Sequence, residues 1–419
     1  MTILSNRRDF IGMTAGASAL AAAAPSGLLA QVPTGLTKMT TDVVPIEPAE
    51  RQARIAKAQR LMREQGISAL LIEPGASLVY FTGIHWWRSE RLTAAILPAE
   101  GEIGIVTPAF EEPSIRESLA VPGDVRVWQE DEDPLALVAG WLRDRKLGQG
   151  TIGVEETVRF FAVDGLAHAL PQAKIKSGAA VVRACRMVKS PAEIALMQKA
   201  TDITIAAYRH VHPRIKRGMT PRDIGRMMDE TTSALGGTPE FSLVLLGEAA
   251  AYPHGSGKPQ QVRDGEIVLM DCGCHVEGYQ SDVSRTFVFG EASAEQRKVW
   301  DKVRRGQALA YQAAKVGVSA GSVDDAVRGW YESLGYGPRY KLPGLSHRTG
   351  HGIGLEGHEP VNLVHGEKTK LAPGMCFSNE PGLYLPGKFG VRLEDCFHMT
   401  TQGPRWFSTP PTSIDRPVG

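Results

Sequence analysis

The sequence predicts two consecutive domains, an α/β domain over residues 48–189 and an α+β domain over residues 190–419. In the first, short apolar runs typical of buried strands alternate with segments of helical periodicity. A capping-box motif over residues 190–193, with proline at the first helical position, marks the boundary. Beyond it, strand-like runs are mixed with fewer helical segments, which favours an α+β architecture.

The first domain opens with a predicted amphipathic helix over residues 49–65, whose apolar positions repeat at helical spacing. Gly66 follows, and a glycine in this place commonly ends a helix. A further helix is expected over residues 135–146. The predicted strands of this domain are 68–72, 94–97 and 103–106.

The second domain opens with a long amphipathic helix whose apolar positions include Ile194, Met197 and Ala200. Two further helices are expected over residues 294–314 and 322–334. No tandem repeat of about 20 to 50 residues is present, which excludes solenoids and propellers. The predicted strands of this domain are 243–246, 266–271, 284–289, 374–379 and 397–400.

The composition is that of an ordinary globular protein. Of the 419 residues, 42% are hydrophobic and 22% charged, which excludes collagen-like, coiled-coil and disordered chains. The 47 Lys and Arg balance the 46 Asp and Glu to a net charge of +1, so no global positive field favours nucleic acid as a partner. The five cysteines are too few for a disulfide scaffold, and Cys272, Cys274, Cys376 and Cys396, which lie in or near predicted strands, are expected to be buried thiols.

Residues 1–31 have the pattern of an export signal. Arg7 and Arg8 precede an uncharged, alanine-rich run over residues 12–30. The arrangement resembles a twin-arginine signal, which implies the twin-arginine export machinery as a partner, transport of the folded chain and a periplasmic location. A spanning anchor is the alternative, but the small residues contribute little insertion energy and Pro25 interrupts the run. Residues 32–47, rich in Pro and Thr, are predicted to be a linker.

Five residues of the second domain have side chains that ligate metals and lie beside predicted strands or turns. Any one of the four acids alone is more often a solvated surface charge. Here they follow or end apolar runs, where a buried charge costs free energy unless a cation compensates it. Gly273 and Gly278 are expected to fold the segment between the two aspartates into a hairpin. These residues, suited to two divalent ions, are Asp271, Asp282, His351, Glu380 and Glu394.

Four sequence blocks carry a family resemblance. In order and spacing they resemble the signature blocks of the creatinase/prolidase/aminopeptidase P family, the pita-bread metallopeptidases. The resemblance covers the chain after the linker, and it implies an α/β creatinase-type N-terminal domain followed by an α+β pita-bread catalytic domain. The blocks are LMDCGCHVEGYQSDVSRTF at 269–287, GHGIGLEGHEP at 350–360, NEPGLY at 379–384 and GVRLED at 390–395.

The resemblance implies roles for the five metal-ligating residues. Asp271 resembles the bidentate ligand of one metal ion, and Asp282 and Glu394 resemble the two bridging carboxylates. His351 and Glu380 resemble the ligands that complete the other metal site. The resemblance further implies that a hydroxide between the ions attacks the scissile carbonyl, and that Glu380 passes the proton to the leaving amine.

Four other residues resemble catalytic or substrate-binding positions of the family. His254 and His358 resemble the histidines that hydrogen-bond the substrate carbonyl and the tetrahedral intermediate. Arg392 resembles an arginine that orients the metal ligands, and His347 a histidine of the substrate pocket. For the histidines of the active site, a purely structural role is the alternative.

The segment from Tyr80 to Arg91 contains two adjacent tryptophans. It resembles a loop of the family that leans over the partner's catalytic cleft in dimers. Trp86 and Trp87 are therefore candidate substrate-binding residues of a homodimer. Because two adjacent side chains of a strand cannot face one core, at least one of them is expected at an interface or pocket wall; ordinary domain packing is the alternative.

The function implied by the resemblance is hydrolysis of the Xaa-Pro bond of dipeptides or short peptides. Two divalent ions are the expected cofactors; the family favours manganese, and cobalt, iron or zinc suit the same donors. The sequence does not separate dipeptidase from aminopeptidase activity, although the short spacing between Glu380 and Glu394 resembles the prolidase type.

Three other functions remain open. A non-peptide amide or ester hydrolase would use the same ligands. A lyase is disfavoured because the dimethylsulfoniopropionate lyases of the family carry an aspartate two residues after the first ligand, where this chain has Gly273. A periplasmic binding protein without catalysis is disfavoured by the complete ligand set. Creatinase-type amidinohydrolases lack those ligands.

Overall fold

The computed structural model describes residues 35–418, so the predicted export signal lies outside the described residues. Among these residues, no helix combines the length and apolarity that a membrane span requires. The helices of the first domain are α1 (Pro48–Glu64), α2 (Ala76–Thr82), α3 (Glu112–Ser118), α4 (Pro134–Asp144), α5 (Phe160–Ala169) and α6 (Ala179–Arg186). Its strands are β1 (Ala69–Ile72), β2 (Ala94–Pro98), β3 (Ile103–Pro108), β4 (Gly123–Trp128), β5 (Thr151–Val154) and β6 (Lys174–Ser177).

The six strands of the first domain form one mixed sheet in the order β4-β3-β2-β1-β5-β6. Successive side chains of a strand point to opposite faces, so apolar strands supply a core on each side. Leu70 and Ile72 of β1 pack with α1, α2 and α6 on one face. Ala69 and Leu71 pack with α4 and α5 on the other face. The α/β architecture predicted from the alternating pattern is confirmed.

The second domain contains the helices α7 (Pro191–Val211), α8 (Pro221–Leu235), α9 (Ala294–Ala313) and α10 (Ala320–Ser333). Its first strands are β7 (Thr238–Leu246), β8 (Ile267–Val276), β9 (Tyr279–Gln280) and β10 (Val283–Val288). They are followed by β11 (Gly350–Gly352), β12 (Glu359–Leu363), β13 (Cys376–Asn379), β14 (Gly382–Leu385), β15 (Phe389–Arg392), β16 (Asp395–Thr400) and β17 (Gly403–Trp406).

The strands of the second domain form two antiparallel sheets and a hairpin. One sheet has the order β10-β8-β7 with β9 paired to β8, and the other has the order β12-β11-β13-β16-β17. The hairpin consists of β14 and β15. One core packs α7 and α8 against one face of the first sheet, and a second packs α9 and α10 against the other sheet, the hairpin and residues of β7 and β8. This arrangement confirms the predicted α+β class.

Helix α7 begins with the capping box predicted from the sequence. The Ser190 side chain accepts the Glu193 N–H, and the Glu193 carboxylate accepts the Ser190 N–H. Glu193 also accepts a hydrogen bond of 2.8 Å from the Tyr279 hydroxyl, and its Oε1 lies 3.4 Å from the guanidinium of Arg54 on α1. The first turn of α7 therefore joins the two domains through a buried polar contact.

The hairpin between the two aspartates differs from the expected one. Strand β8 continues through Gly273, and the chain turns at Glu277 and Gly278, both with positive φ, as a two-residue hairpin requires. A Cβ added at Gly273 would lie 2.3 Å from the Ser281 carbonyl oxygen. Gly273 therefore serves close backbone approach within the sheet, not a turn.

The described part of the predicted linker, residues 35–47, has no helix or strand but packs on the second domain. The Met39 N–H donates to the Leu235 carbonyl at 2.8 Å. Ile46 is buried in the core of that domain, and Leu36 and Val43 pack against it. Apolar residues spaced through the Pro- and Thr-rich segment thus attach it to the catalytic domain.

Candidate active site

The five predicted metal ligands come from both sheets of the second domain and line one cavity of about 710 Å³. Asp271 lies on β8, and Asp282 directly precedes β10. His351 is the central residue of β11, and Glu380 directly follows β13. Glu394 lies in the two-residue connection between β15 and β16. Strands, strand ends and one short connection fix all five backbones around the cavity.

His351 lies at the centre of this group. Its Nε2 is 3.2 Å from Glu380 Oε1 and 3.7 Å from Asp282 Oδ2. One ligand atom from each of Asp282, His351 and Glu394 lies within 4.8 Å of the others. Antiparallel pairing places Asp271 of β8 opposite Ser284 of β10, close to Asp282 along the chain. The spacing of these donors suits ligands that share small cations.

Three carboxylate oxygens of the centre are buried and have no hydrogen-bond partner among the described residues. They are Oδ1 of Asp271, Oδ1 of Asp282 and Oε1 of Glu394. An unsatisfied buried polar atom costs roughly 1–3 kcal/mol, and more if it is charged. A divalent cation removes this cost, and oxygen donors with one imidazole suit manganese and similar ions. The residues present therefore fit a divalent metal centre.

The buried carboxylates of the centre repel one another. Burial and the neighbouring carboxylates raise the pKa of Asp282 and of Glu394 well above the ordinary range. Burial would also raise the pKa of Glu380, but the hydrogen bond from His351 and the charge of His347 bring it down to about 2. Glu380 is therefore ionised at neutral pH, as a proton acceptor must be.

Arg392 holds two of the carboxylates in place. Its Nη2 donates to Asp271 Oδ2 at 2.6 Å, and its Nε donates to Ser284 Oγ at 3.0 Å. Ser284 Oγ in turn donates to Glu394 Oε2 at 2.8 Å. Burial would lower the pKa of Arg392, but Tyr384 and the carboxylates around it raise the pKa well above the ordinary value. Arg392 thus remains charged and positions Asp271 directly and Glu394 through Ser284.

The three candidate histidines also line the cavity. The ring of His358 lies edge-on to His351, with centroids 4.2 Å apart. Burial, together with the charges of His351 and Arg348, lowers the pKa of His358 to about 4, so its ring is neutral at pH 7 and can donate one hydrogen bond. Burial also lowers the pKa of His347, whose Nε2 lies 2.7 Å from the Tyr384 hydroxyl oxygen. His254 lies at the cavity rim.

The two candidate tryptophans lie outside this cavity within one chain. The rings of Trp86 and Trp87 are stacked, 4.6 Å apart with an interplanar angle of 15°. Trp86 packs against the core of the first domain, whereas Trp87 is 65% exposed. The adjacent His85 lies beside Gly278 of the β8–β9 turn. The loop therefore rests on the catalytic domain, with one indole facing outward.

Sequence reasoning missed several residues that line the cavity or contact its lining. Tyr384 is one, although it ends the block at 379–384; its hydroxyl accepts from Arg392 Nη1 at 3.2 Å. Arg348 is another, and its Nη1 donates to Asn362 Oδ1 at 3.0 Å. Its proximity to His351 in the chain is the only signal for it. Residues of β7 such as Phe241 and Leu243 line the opposite wall and carry no sequence signal.

Two family models match the chain. Residues 195–401 match the metallopeptidase family M24, and residues 54–188 match the creatinase/prolidase N-terminal domain. The first match contains all five candidate ligands. Families with this catalytic domain use divalent metal ions, which agrees with the donor set described above.

Relatives and solved structures match over both domains. The chain is 34% identical over 359 residues to the "Probable dipeptidase PepE" of Mycobacterium tuberculosis, covering 84% of this chain and 92% of that protein. It is 32% identical to the Xaa-Pro dipeptidase of Lactobacillus helveticus, covering 84% and 95%. The crystal structure of dipeptidase PepE from Mycobacterium ulcerans superposes with a TM-score of 0.81 at 32% identity, covering 88% and 98%. The chain is therefore a member of metallopeptidase family M24, with the pita-bread catalytic domain and a creatinase/prolidase-type N-terminal domain.

Proposed function

We propose that this protein hydrolyses the Xaa-Pro bond of dipeptides. The observation that carries the proposal is the group of four carboxylates around His351, three of which present an unpartnered oxygen to one cavity. Relatives of about one-third identity over most of the chain are named as dipeptidases, including one named for Xaa-Pro substrates.

The ligand set divides between two metal positions. Asp271, Asp282, His351, Glu380 and Glu394 would hold the ions between them. Such a pair supplies a Lewis acid for the scissile carbonyl and a water of lowered pKa. The oxygens that have no hydrogen-bond partner within residues 35–418 belong to Asp271, Asp282 and Glu394, where a cation is needed most.

The protein side chains supply proton transfer and charge stabilisation. Glu380, ionised at neutral pH, accepts the proton of the attacking water and delivers it to the nitrogen of the leaving proline. The neutral ring of His358 donates a hydrogen bond to the oxygen on which negative charge develops. His254, at the rim of the cavity, would hydrogen-bond a carbonyl group further along the substrate.

The cavity walls suit a small dipeptide with a proline ring. Phe241, Leu243 and Pro253 give the cavity an apolar surface, and the ring of His347, which also lines it, packs at a tilt against Tyr384. The cavity volume of about 710 Å³ falls in the range of small-ligand sites. Arg348 supplies a positive charge that would attract a carboxylate of the substrate. Its side-chain hydrogen bond goes to the neutral amide of Asn362, which does not neutralise that charge.

Steady-state hydrolysis of matched dipeptides tests this function. The purified chain is supplied with manganese and given Ala-Pro, Ala-Ala and N-acetyl-Ala-Pro. We expect the highest kcat/KM for Ala-Pro. Equal rates for Ala-Pro and Ala-Ala would replace Xaa-Pro specificity with general dipeptidase activity, and no hydrolysis of any of them would favour a non-peptide amide or ester.

We propose manganese as the metal. Four carboxylates with one imidazole form an oxygen-rich site without a thiolate among the five ligands, a donor set that suits manganese better than the more thiophilic ions. Metal analysis of protein purified without added metal, combined with reconstitution by manganese, cobalt, iron and zinc, tests this choice. Higher kcat/KM with another of these ions would overturn it.

We propose that the protein is exported to the periplasm by the twin-arginine machinery. The support is the Arg7–Arg8 pair before a weakly apolar run. Replacement of both residues in Arg7→Lys with Arg8→Lys is expected to leave folded, active protein in the cytoplasm. Unchanged appearance in the periplasmic fraction would contradict this route.

We propose that two copies associate through the loop that carries Trp86 and Trp87. A 65% exposed indole at Trp87, on a loop resting on the catalytic domain, supports the proposal because large exposed aromatics often mark interfaces. Sedimentation velocity is expected to give a dimer, and Trp87→Ala is expected to weaken it. A monomer at all concentrations would contradict the proposal.

A further inference from the structure

Helix α10 carries a buried ion pair. Asp324 is 0% exposed and Arg328, one turn further along the helix, is 4% exposed, and Arg328 Nε donates to Asp324 Oδ2 at 2.6 Å. Of the described residues that line the catalytic cavity, none belongs to α10. Because the removal of two charges from water costs free energy, a buried pair is weak evidence of a stabilising role. The groups that the pair binds therefore indicate what it does.

Arg328 binds three backbone carbonyls. Its Nη1 donates to the carbonyl of Leu345 at 2.8 Å and to that of Arg339 at 3.1 Å, and its Nη2 donates to the carbonyl of His347. Only the forked guanidinium has donors directed at all of these groups and at the carboxylate together. Arg328 thus holds the backbone of His347, whose side chain lines the catalytic cavity.

Asp324 binds Thr349 through two hydrogen bonds. Its Oδ1 accepts the Thr349 N–H at 3.1 Å and the Thr349 hydroxyl at 2.7 Å. Its Oδ2 also accepts the His365 N–H at 3.0 Å. The Thr349 N–H is shared with the Leu363 carbonyl, likewise at 3.1 Å, so the hydroxyl makes the contact that belongs to Asp324 alone.

The segment 345–349 connects the ion pair to the catalytic centre. It contains His347, and it ends two residues before the candidate ligand His351. The Thr349 carbonyl accepts the N–H of Glu380, another candidate ligand, at 2.9 Å. One segment held from α10 therefore reaches a residue of the cavity wall and two ligands of the centre.

The two charges of the pair compensate each other beside the catalytic centre. The segment 345–349 has neither helix nor strand, so its polar groups need partners from elsewhere in the fold. A guanidinium offers five donors and a carboxylate about four acceptor positions, so one pair serves several of these groups at once. The pair fixes the segment without adding net charge next to the carboxylates of the centre.

We infer that Asp324 and Arg328 are positioning residues of the active site, with Arg328 holding His347 and Asp324 holding the backbone of Glu380 through Thr349. Neither side chain lines the cavity, so both act through other residues. The inference deepens the proposed Xaa-Pro hydrolysis, on which its kinetic test rests. Its test by metal binding needs no substrate.

Four variants separate positioning from stability. Arg328→Lys keeps the positive charge beside Asp324 and loses the fork that holds the carbonyls. Thr349→Val removes the hydroxyl bonded to Asp324, and Thr349→Ser keeps a hydroxyl in that place. Val327→Ala is the matched control, because this fully buried side chain of α10 has no polar group and its truncation lowers stability.

Three quantities are measured on the full chain of each variant and of the wild type. Urea unfolding of the metal-free protein gives the free energy of unfolding. Titration calorimetry of the chelator-stripped protein with manganese gives Kd. Hydrolysis of Ala-Pro with manganese in excess gives kcat and KM.

We expect Arg328→Lys to raise Kd for manganese on the order of tenfold and to lower kcat/KM for Ala-Pro by at least that factor. Thr349→Val should change both quantities in the same direction, and Thr349→Ser should stay close to the wild type. Val327→Ala should lose stability and keep the wild-type Kd and kcat/KM.

The inference is overturned if Arg328→Lys and Thr349→Val bind manganese and hydrolyse Ala-Pro as Val327→Ala does, at a similar loss of stability. If Arg328→Lys does not fold, the two Thr349 variants decide: equal values for valine and serine overturn the inference, and retention by serine alone supports it. A wild type that binds manganese and leaves Ala-Pro intact contradicts the proposed function only. The Kd values then decide on the ion pair in the same way.

Discussion

Asp282 lies in an unfavourable environment for a charged side chain of the catalytic centre. It is buried among like charges, and both effects raise its pKa. Its Oδ1 has no hydrogen-bond partner among the described residues. A residue placed in this way destabilises the metal-free protein, and such a cost is typical of functional sites.

Neutralising this carboxylate is therefore expected to stabilise the metal-free protein and to weaken its binding of metal. In Asp282→Asn, the metal-free protein should melt at a higher temperature than the metal-free wild type, because one repelling charge is gone. The wild type should gain about 2.7 kcal/mol at a manganese concentration 100 times Kd, and the variant much less. Differential scanning calorimetry with and without manganese measures both. An equal manganese-induced rise in Tm in the two proteins would contradict a shared ligand at this position.

His358 allows a test of catalysis without loss of metal. His358→Ala removes the neutral ring proposed to donate to the reacting oxygen and leaves the five ligands in place. We expect kcat to fall by roughly 10²–10³, the effect of losing one such donor, with KM changed far less. Metal content measured on the same sample is the control. A kcat near the wild-type value with normal metal content would exclude this role.

At the residue scale, the metal-ligating residues could be predicted because the ability to bind a metal is a property of their side chains. Acids after apolar runs and a glycine-flanked histidine stand out in the chain itself. Tyr384 and Ser284 do not, because a hydroxyl near Arg392 acquires its role only when β10, β14 and β15 meet. Roles that depend on tertiary contact have no local signal.

Strand β12 begins with a buried ion cluster that joins the two domains. Glu359, 4% exposed and next to His358, accepts hydrogen bonds of 2.6 Å from Arg186 at the end of α6 and 2.9 Å from Lys189. It also accepts the Leu355 N–H at 3.0 Å. One side chain thus fixes the loop of His358 to the first domain.

Removing this charge is expected to be costly. In Glu359→Gln, Lys189 loses its buried counter-charge while Arg186 keeps its ion pair with Glu356, and breaking a buried pair costs about 3–5 kcal/mol. Burial would raise the pKa of Glu359, but Lys189 and Arg186 lower it from 4.5 to about 2. A carboxyl group whose pKa is lowered in the folded state stabilises the protein at pH values above the pKa of the unfolded state. This stabilisation is lost as the pH falls through the pKa of the folded state.

The pH dependence of unfolding checks this assignment. Urea unfolding of wild type and Glu359→Gln is compared at pH 7 and at several values between 4.5 and 2. The difference in the free energy of unfolding should be full at pH 7 and shrink as pH falls through that interval. A difference that stays constant with pH would mean that the carboxylate charge contributes nothing.

At the element scale, the helical spacing of apolar residues predicted the bounds of the helices well. The helices at 49–65 and 294–314 lie within one or two residues of α1 and α9. The predicted end of β8 at Asp271 was wrong, because Gly273 resembles a turn residue in the sequence. Only the close approach of Ser281, a contact made by the folded sheet, explains it as a strand residue.

The whole molecule places its active site where two sheets of one domain meet and another domain supports the rim. Arg54 of α1 donates to the Tyr279 hydroxyl at 3.1 Å, and Arg186 of α6 holds Glu359. The order and class of both domains follow from local pattern and are confirmed by the fold. Their mutual contacts could not be predicted, since they join residues far apart in sequence.

Metal-titrated hydrolysis of Ala-Pro tests the central claim most directly. The purified chain is stripped with a chelator and given increasing equivalents of manganese, and proline release is followed. We expect no hydrolysis without metal, and activity that saturates near two ions per chain, because the five ligands are proposed to hold two ions. Hydrolysis that survives chelation, or protein that binds manganese at these ligands and releases no proline, would contradict a metal-dependent Xaa-Pro peptidase.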